Sequence, residues 1–200
     1  MQTTIFETPV INTLCRWIST LILRMQGWKV VGSAPLEPKY VMIAAPHTSN
    51  WDFPYTLMVC FALRLRVHWM GKASLFPPVI GGIMRWLGGI AVDRDQAGHV
   101  VPATIAAFNR CNTLTVIIPP EGTRGQVTAW KTGFYRIATG AQVPIAMAYL
   151  DFKKREGGIG RIFWPTGDLE KDMPYIQKFY AGITGKHPHR FNSESIKTRS

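Results

Sequence analysis

The feature that most constrains the fold is a run of five residues, Leu-Thr-Val-Ile-Ile, at positions 114–118. The run is short and rich in β-branched residues, and it stops at Pro119-Pro120, because proline cannot continue a paired strand. A near-continuous apolar strand is typical of a parallel sheet that helices cover on both faces. The run therefore predicts a buried strand in an α/β fold.

The rest of the chain supports this class, because short apolar runs alternate with stretches of helical pattern after Gly27. Further strands are predicted at 40–45, 67–70, 90–93, 144–150 and 161–164. Helices are predicted at 51–63, 103–111, 133–139 and 174–181, and a helix interrupted by proline is predicted at 75–87. Gly157-Gly158 predicts a tight turn before the last strand. At 200 residues the chain fits one domain, with a mixed, mostly parallel sheet flanked by helices.

Three parts of the chain differ in pattern. Residues 1–30 contain an amphipathic helix, in which apolar residues from Ile11 to Met25 recur at helical spacing. Its apolar face could pack on the domain core or lie in a membrane interface, and the sequence leaves both roles open. Residues 31–185 form the α/β domain. Residues 186–200 form a basic tail that we expect to be mobile.

Cysteine usage and the N-terminus exclude several classes. Cys15, Cys60 and Cys111 are too widely spaced for a disulfide framework or a zinc site, so no metal site is predicted. Glu7 and the lack of a basic start argue against a signal peptide. No stretch reaches the roughly 18 apolar residues that a membrane span needs. We therefore expect a protein that is neither exported nor membrane-spanning.

The charge balance indicates anionic partners. The chain has 23 Lys and Arg residues against 12 Asp and Glu, for a net charge of +11. Phosphate-bearing small molecules, nucleic acid and an acidic membrane surface would all be attracted to such a protein. Charge alone does not choose among them.

His47 and Asp52 are separated by four residues and directly follow a predicted strand. A histidine can act as a general base near neutral pH, and a carboxylate can orient its ring. Residues five apart diverge on an ideal helix, so the side chains can meet only if His47 lies in a loop and Asp52 in the first helical turn. Ser49 or Asn50 is the predicted N-cap. A loop histidine beside a carboxylate that only serves the helix dipole is the alternative.

A second candidate site, the segment from Glu121 to Arg124, comes directly after the buried strand. Open α/β sheets bind ligands at the carboxyl ends of their strands, so this segment and His47 should face one crevice. Gly122 permits a close backbone approach, and Thr123 offers a hydroxyl. Arg124 offers a guanidinium suited to phosphate, and Glu121 could hold a guanidinium or a hydroxyl in register.

Lys72 and Arg94 also stand at the ends of predicted strands. Each places a cation where the same crevice could use it. Each could equally be a solvated strand end.

Taken together, these segments resemble the sequence blocks of the glycerolipid acyltransferases typified by lysophosphatidic acid acyltransferase, the PlsC-like family. The matching segments occur in the family's order: His47 to Asp52, Gly89 to Arg94, Glu121 to Arg124, and Val143 to Ile145. Trp130-Lys131-Thr132-Gly133 resembles the lysine-glycine element that follows the third block. The resemblance spans about residues 40–150, and the conjunction is far more specific than any single block.

The resemblance implies an O-acyltransferase that moves a fatty acyl group to the hydroxyl of a lysophospholipid such as 1-acylglycerol-3-phosphate. The donor would be acyl-CoA or acyl carrier protein, a co-substrate, so no cofactor is implied. His47 would act as the general base, with Asp52 holding its ring. The residues that would bind substrate are Lys72, Arg94, Glu121, Gly122, Thr123 and Arg124.

These expectations give the positive charge a role in attracting anionic lipid headgroups, a phosphorylated acceptor, and the acidic surface of a carrier protein. We expect peripheral attachment at the cytoplasmic side of a membrane. Three alternatives remain: a relative that acts on a non-glycerophosphate lipid, a catalytically silent protein of the membrane surface, and a nucleic-acid-binding protein. Dispersed basic residues argue against nucleic acid as a partner.

Overall fold

The computed structural model describes residues 3–93, 97–191 and 197–199. In chain order the strands are β1 (Lys29–Val31), β2 (Lys39–Ala44), β3 (His68–Lys72), β4 (Gly89–Val92), β5 (Leu114–Ile118), β6 (Ala129–Lys131), β7 (Ile145–Asp151), β8 (Glu156–Phe163) and β9 (Lys197–Arg199). The α-helices are α1 (Pro9–Met25), α2 (Asp52–Ala62), α3 (Gly81–Trp86), α4 (Ala97–Arg110), α5 (Gly133–Ala141) and α6 (Leu169–Tyr180).

Seven strands form one sheet in the order β1-β8-β7-β2-β5-β3-β4. All neighbouring pairs are parallel except β7 and β8, which form an antiparallel hairpin. The pair β6 and β9 forms a second, two-stranded sheet. The predicted α/β class and the mostly parallel sheet are therefore confirmed.

The core covers both faces of the sheet. In β5, Val116 belongs to a cluster under α5 and α6, whereas Ile117 faces the opposite cluster, which includes Phe61 of α2 and Trp69 of β3. Both residues are almost inaccessible to solvent. Burial on two faces explains why this strand is apolar at successive positions rather than at alternate ones.

Several local predictions differ from the structure: α4 begins at Ala97 rather than at 103, and α6 begins at Leu169 rather than at 174. The Pro-interrupted helix predicted at 75–87 is a 3-10 turn at Ala73–Leu75 followed by α3, with Pro77 and Pro78 between them, so only its second half is α-helical. Gly157 and Gly158 lie inside β8, and the hairpin turns at residues 152–155 instead. A Cβ on Gly158 would collide with the carbonyl oxygen of Val31, so this glycine permits the pairing of β1 with β8.

The N-terminal helix leaves one stripe of apolar side chains exposed to solvent. It packs on α2, and its buried residues are Ser19 and Leu23. Its exposed apolar side chains form one stripe at helical spacing: Val10, Leu14, Trp17, Ile18, Leu21 and Met25. The two roles left open by the sequence thus apply to different residues: Cys15 of the predicted apolar face packs against the core, whereas Leu14, Ile18, Leu21 and Met25 are exposed, and a membrane role for them stays a prediction.

The first part of the basic tail contacts the domain. The backbone amide of His187 donates to Thr48 Oγ1 at 3.2 Å, and Arg190 Nη1 donates to the Thr48 carbonyl oxygen at 3.2 Å. A 3-10 turn spans Pro188–Arg190. Residues 186–191 thus lie against the loop that holds His47, while the mobility expected for the tail stays a prediction.

Across the three described ranges of the chain, helices with both the length and the hydropathy of a membrane span are absent.

Candidate active site

Three of the predicted site segments meet at one edge of the sheet. His47 follows β2, Lys72 is the last residue of β3, and Glu121 follows β5. These three strands are parallel and β5 lies between the other two, so their carboxyl ends reach the same edge. The shared crevice predicted from the sequence is therefore present.

His47 and Asp52 form a hydrogen-bonded pair. The distance from His47 Nδ1 to Asp52 Oδ2 is 3.1 Å, and the carboxylate is buried while the imidazole is partly open to the cavity. Because Nδ1 faces Asp52, the other ring nitrogen, Nε2, is the one left to exchange a proton with a ligand. The arrangement has the geometry of a general base and the carboxylate that orients it.

The loop between the two residues holds the carboxylate in place. The backbone amides of Thr48 and Ser49 donate to Asp52 Oδ2 at 2.7 and 2.9 Å. Asp52 is the first residue of α2, where the helix dipole also favours a negative charge. The predicted N-cap at Ser49 or Asn50 was wrong: Trp51 occupies that position, and Ser49 Oγ accepts from its amide at 3.2 Å, which forms a turn ahead of the helix.

Glu121 supports the same loop through a hydrogen bond to its backbone. Its carboxylate is buried, and its Oε1 accepts the backbone N–H of His47 at 2.9 Å. Burial raises the pKa of this carboxyl to about 7, although the hydrogen bond from His47 acts in the opposite direction. The structure thus places Glu121 against the backbone of the candidate base, whereas the family resemblance implied contact with substrate.

Gly122 and Lys131 lie in direct contact. Gly122 has a φ of 64°, and a Cβ there would lie 2.9 Å from Cδ and Cε of Lys131. Glycine therefore accommodates both the left-handed turn and the lysine stem that crosses it. Thr123 and Arg124 are exposed beyond this turn, and Thr123 Oγ1 accepts the amide of Gly125 at 3.3 Å.

The remaining predicted positions are Lys72, Arg94 and the segment from Val143 to Ile145. Lys72 is exposed and lines the cavity beside His47. Arg94 lies outside the described residues. The segment from Val143 to Ile145 stands at the start of β7, where Ile145 pairs with Val41, so it belongs to the opposite edge of the sheet.

One cavity of about 870 Å³ joins these groups. Its lining includes His47 and four basic residues: Lys72, Arg124, Lys131 and Arg136. A second part of the lining consists of apolar side chains from α2 and from strands β2, β7 and β8: Met42, Leu57, Val59, Cys60, Ala148, Leu150 and Ile159. We call this second part the apolar arm. A ligand with an anionic head and a long apolar chain fits the chemistry of such a cavity.

Sequence reasoning missed two of the basic residues. Lys131 belongs to the quoted Trp130-to-Gly133 element, but no role was assigned to it. Arg136 lies one turn into α5, where nothing in the sequence distinguished it from a surface arginine. Within the described ranges no group of three His, Cys, Asp or Glu side chains is placed to hold a metal ion.

Comparison with known proteins identifies this arrangement. Residues 28–150 match the family model described as Acyltransferase. The fold is similar to the crystal structure of the 1-acyl-sn-glycerophosphate (LPA) acyltransferase PlsC from Thermotoga maritima. The TM-score is 0.61 and the identity 17%, with 84% of this chain and 76% of that chain covered. Among curated proteins none matches. The matched region contains the His47–Asp52 pair, the Glu121 loop and Lys131, and the chain belongs to the acyltransferase family.

Proposed function

We propose that this acyltransferase moves a fatty acyl group from a thioester, acyl-CoA or acyl carrier protein, to the free hydroxyl of a lysophospholipid such as 1-acylglycerol-3-phosphate. The observation that carries the proposal is that one cavity is lined by His47, by four basic side chains and by the apolar arm. A lysophospholipid combines a phosphate with a hydroxyl and an acyl chain. The acyl thioester brings a second chain of the same kind.

His47 acts as the general base in this mechanism. Nε2 takes the proton of the acceptor hydroxyl while the oxygen attacks the thioester carbonyl carbon. The tetrahedral intermediate collapses with cleavage of the C–S bond, and the imidazolium returns the proton to the leaving thiolate. Asp52 holds the ring and stabilises its protonated form, because its Oδ2 faces Nδ1 at 3.1 Å.

Direct transfer to the acceptor is the route that the cavity favours. The cysteine that lines it, Cys60, is fully buried, and burial raises the pKa of its thiol to about 12. Such a thiol is protonated at neutral pH and is a poor nucleophile. The acyl group therefore passes from donor to acceptor without a cysteine-bound intermediate.

The basic side chains of the cavity bind the acceptor phosphate. Arg124 presents a fork suited to two phosphate oxygens, and Lys131 is held close by its packing over Gly122. Lys72 and Arg136 line the same cavity and add positive charge.

Product analysis tests the acceptor class. The full-length protein is incubated with palmitoyl-CoA and either lysophosphatidate or the matching monoacylglycerol, which lacks the phosphate, and the products are measured by mass spectrometry. We expect phosphatidate from the first acceptor and at least about 10-fold less product from the second. Arg124→Gln should raise KM for lysophosphatidate about 10-fold or more, since a charged hydrogen bond to phosphate is lost.

Two results would oppose the phosphate assignment. Equal turnover of the two acceptors would mean that the enzyme does not recognise the phosphate. An unchanged KM in the Arg124 variant would mean that Arg124 does not bind the acceptor. Repeating the assay with an acyl carrier protein thioester separates the two donor classes.

We also propose that the exposed stripe of α1 lies in the interface of an anionic membrane. Within the stripe, Val10, Trp17 and Met25 are each more than two thirds exposed. A contiguous row of large apolar side chains is rarely this exposed in a protein without a partner surface. The side of α1 that carries Cys15, Ser19 and Leu23 packs on the domain, so the stripe is directed away from it. A net charge of +11 adds attraction to anionic headgroups.

Sedimentation with lipid vesicles tests this attachment. Leu21→Glu places a charge in the stripe, whereas Thr13→Glu adds the same charge to an exposed position on the same helix outside it. We expect Leu21→Glu to lower the partition onto phosphatidylglycerol vesicles by about 10-fold or more, because a buried leucine is worth about 2 kcal/mol. Equal binding of the two variants would contradict the proposal.

A further inference from the structure

Thr48 connects the His47–Asp52 pair, which we call the dyad, to a distant part of the chain. Its backbone amide donates to Asp52 Oδ2 at 2.7 Å. Its side-chain Oγ1 accepts the amide of His187 at 3.2 Å, and its carbonyl oxygen accepts Arg190 Nη1 at 3.2 Å. Thr48 itself is buried. All of its polar groups are therefore used, one toward Asp52 and two toward the C-terminal segment.

The Arg190 contact lies on a chain of hydrogen bonds that ends at the dyad. The Thr48 carbonyl and the Ser49 N–H are the two ends of one peptide group. Arg190 donates to the carbonyl end, and the N–H end donates to Asp52 Oδ2 at 2.9 Å. A cation on the oxygen polarises the peptide and strengthens the bond that its N–H makes to a carboxylate. Asp52 in turn holds His47 Nδ1.

The segment around Arg190 is itself held close to this loop. We call residues 184–190 the strap. At its start, the Phe152 amide donates to the Thr184 carbonyl at 2.9 Å. A Cβ on Gly185 would lie 2.8 Å from Thr48 Oγ1, so only a glycine lets the strap pass this close. The ammonium of Lys186 lies 5.6 Å from the Trp51 ring centroid and 5.4 Å from that of Phe152, within cation–π range.

We propose that Arg190 is a positioning residue of the acyl transfer. It holds the Thr48–Ser49 peptide so that the N–H groups of Thr48 and Ser49 both point at Asp52. The inference rests on the proposed function, in which Asp52 orients His47. Arg190 reaches no reacting atom; it acts through the peptide and the carboxylate. The strap thereby makes the C-terminal end of the chain part of the machinery that sets the geometry of the base.

A comparison of Arg190→Ala with two further variants tests this role in the full-length protein. Arg190→Lys keeps a cation that can reach the carbonyl, and Arg110→Ala removes an arginine from an exposed position at the end of α4 as a charge-matched control. Amide hydrogen exchange of Thr48 and Ser49 is followed by NMR, and kcat and KM are measured with lysophosphatidate and palmitoyl-CoA.

We expect Arg190→Ala to speed exchange at Thr48 and Ser49 about 10-fold while the amides of β5 keep their rates. In the same variant kcat should fall about 3- to 10-fold with little change in KM, because the base is misplaced and the substrate contacts remain. Arg190→Lys should recover part of both effects. Arg110→Ala should match the parent protein in both measurements.

Three results decide against the proposal. Unchanged exchange at Thr48 and Ser49 in Arg190→Ala means that the strap does not hold the loop, whatever the activity. Faster exchange with unchanged kcat means that the hold does not serve the reaction. A fall in kcat equal to that of Arg110→Ala assigns the effect to net charge. If the parent protein forms no acylated product, the proposed function fails, and the exchange data still show whether Arg190 holds the loop.

Discussion

At the scale of single residues, Asp52 is the point at which the candidate site is assembled. One oxygen, Oδ2, accepts two backbone amides and faces the imidazole of His47. Each of these bonds restricts the carboxylate to one orientation, so the ring that it holds has one orientation as well. A carboxylate with this many partners is typical of a group whose position matters to the chemistry.

Glu121 supports the backbone of the same histidine, and its ionisation should affect stability. Its pKa in the folded protein is about 7 against an ordinary value of 4.5. The folded state therefore binds the proton more tightly than the unfolded state does. The stabilisation is complete below pH 4.5 and is lost as the pH rises toward 7, for a total of about 3 kcal/mol.

Glu121→Gln isolates this contribution, because its amide oxygen can still accept the N–H of His47 but does not ionise. We expect the free energy of unfolding of the variant, relative to that of the parent protein, to rise by about 3 kcal/mol between pH 4.5 and pH 8. Urea unfolding at four pH values across this range measures the difference. Parallel pH profiles for the two proteins would show that Glu121 does not titrate in the folded state as proposed.

At the scale of secondary-structure elements, α2 serves both parts of the cavity. Its first residue, Asp52, belongs to the dyad, and its inner face, with Leu57 and Cys60, forms one wall of the apolar arm. One helix thus fixes the distance between the reacting group and the space for an acyl chain.

Filling the arm should change the preferred chain length. Cys60→Phe adds a ring where Cys60 lines the arm, and Ala148→Leu narrows it from the opposite wall. We expect each variant to lower the ratio of palmitoyl-CoA to decanoyl-CoA turnover about 10-fold or more, since the longer chain loses its space. A variant that misfolds loses turnover with both donors, so the ratio reports the arm itself. An unchanged ratio in both variants would place the acyl chain elsewhere.

The pairing of β1 with β8 depends on a glycine. Gly158→Ala brings a Cβ into the backbone of Val31, whereas Gly98→Ala in α4 meets no atom within 4 Å. We expect the first change to destabilise the protein by about 1–3 kcal/mol and the second to stabilise it by about 0.5–1 kcal/mol. Thermal unfolding of the two variants measures both effects. Equal stabilities would contradict the close approach of the two strands.

The sequence predicted elements best where local pattern and tertiary packing agree. The buried strand at Leu114–Ile118 and the loop position of His47 follow from residue type and spacing alone. Gly157-Gly158 was misread as a turn, because the reason for Gly158 is its contact with Val31 in a strand more than 100 residues away. The role of Glu121 depends on its burial, and that of Arg190 on a contact across 142 residues, so neither has a local signal.

At the scale of the whole molecule, two distant parts of the chain hold one loop, and a third packs on the helix that follows it. Residues 47–52 are held by Glu121 from the centre of the sheet and by the strap from the C-terminal end. The N-terminal helix packs on α2, the helix that begins at Asp52. Under our proposal, membrane attachment, phosphate recognition and proton transfer are linked through this single region.

The most direct test of the account is the release of thiol from palmitoyl-CoA, with and without lysophosphatidate, by the full-length protein and by His47→Ala. We expect release by the parent protein to depend on the acceptor and to fall about 10² to 10⁴-fold in the variant, with the fold retained by circular dichroism. Acceptor-dependent release that survives in His47→Ala at the parent rate would contradict the central claim that His47 is the base.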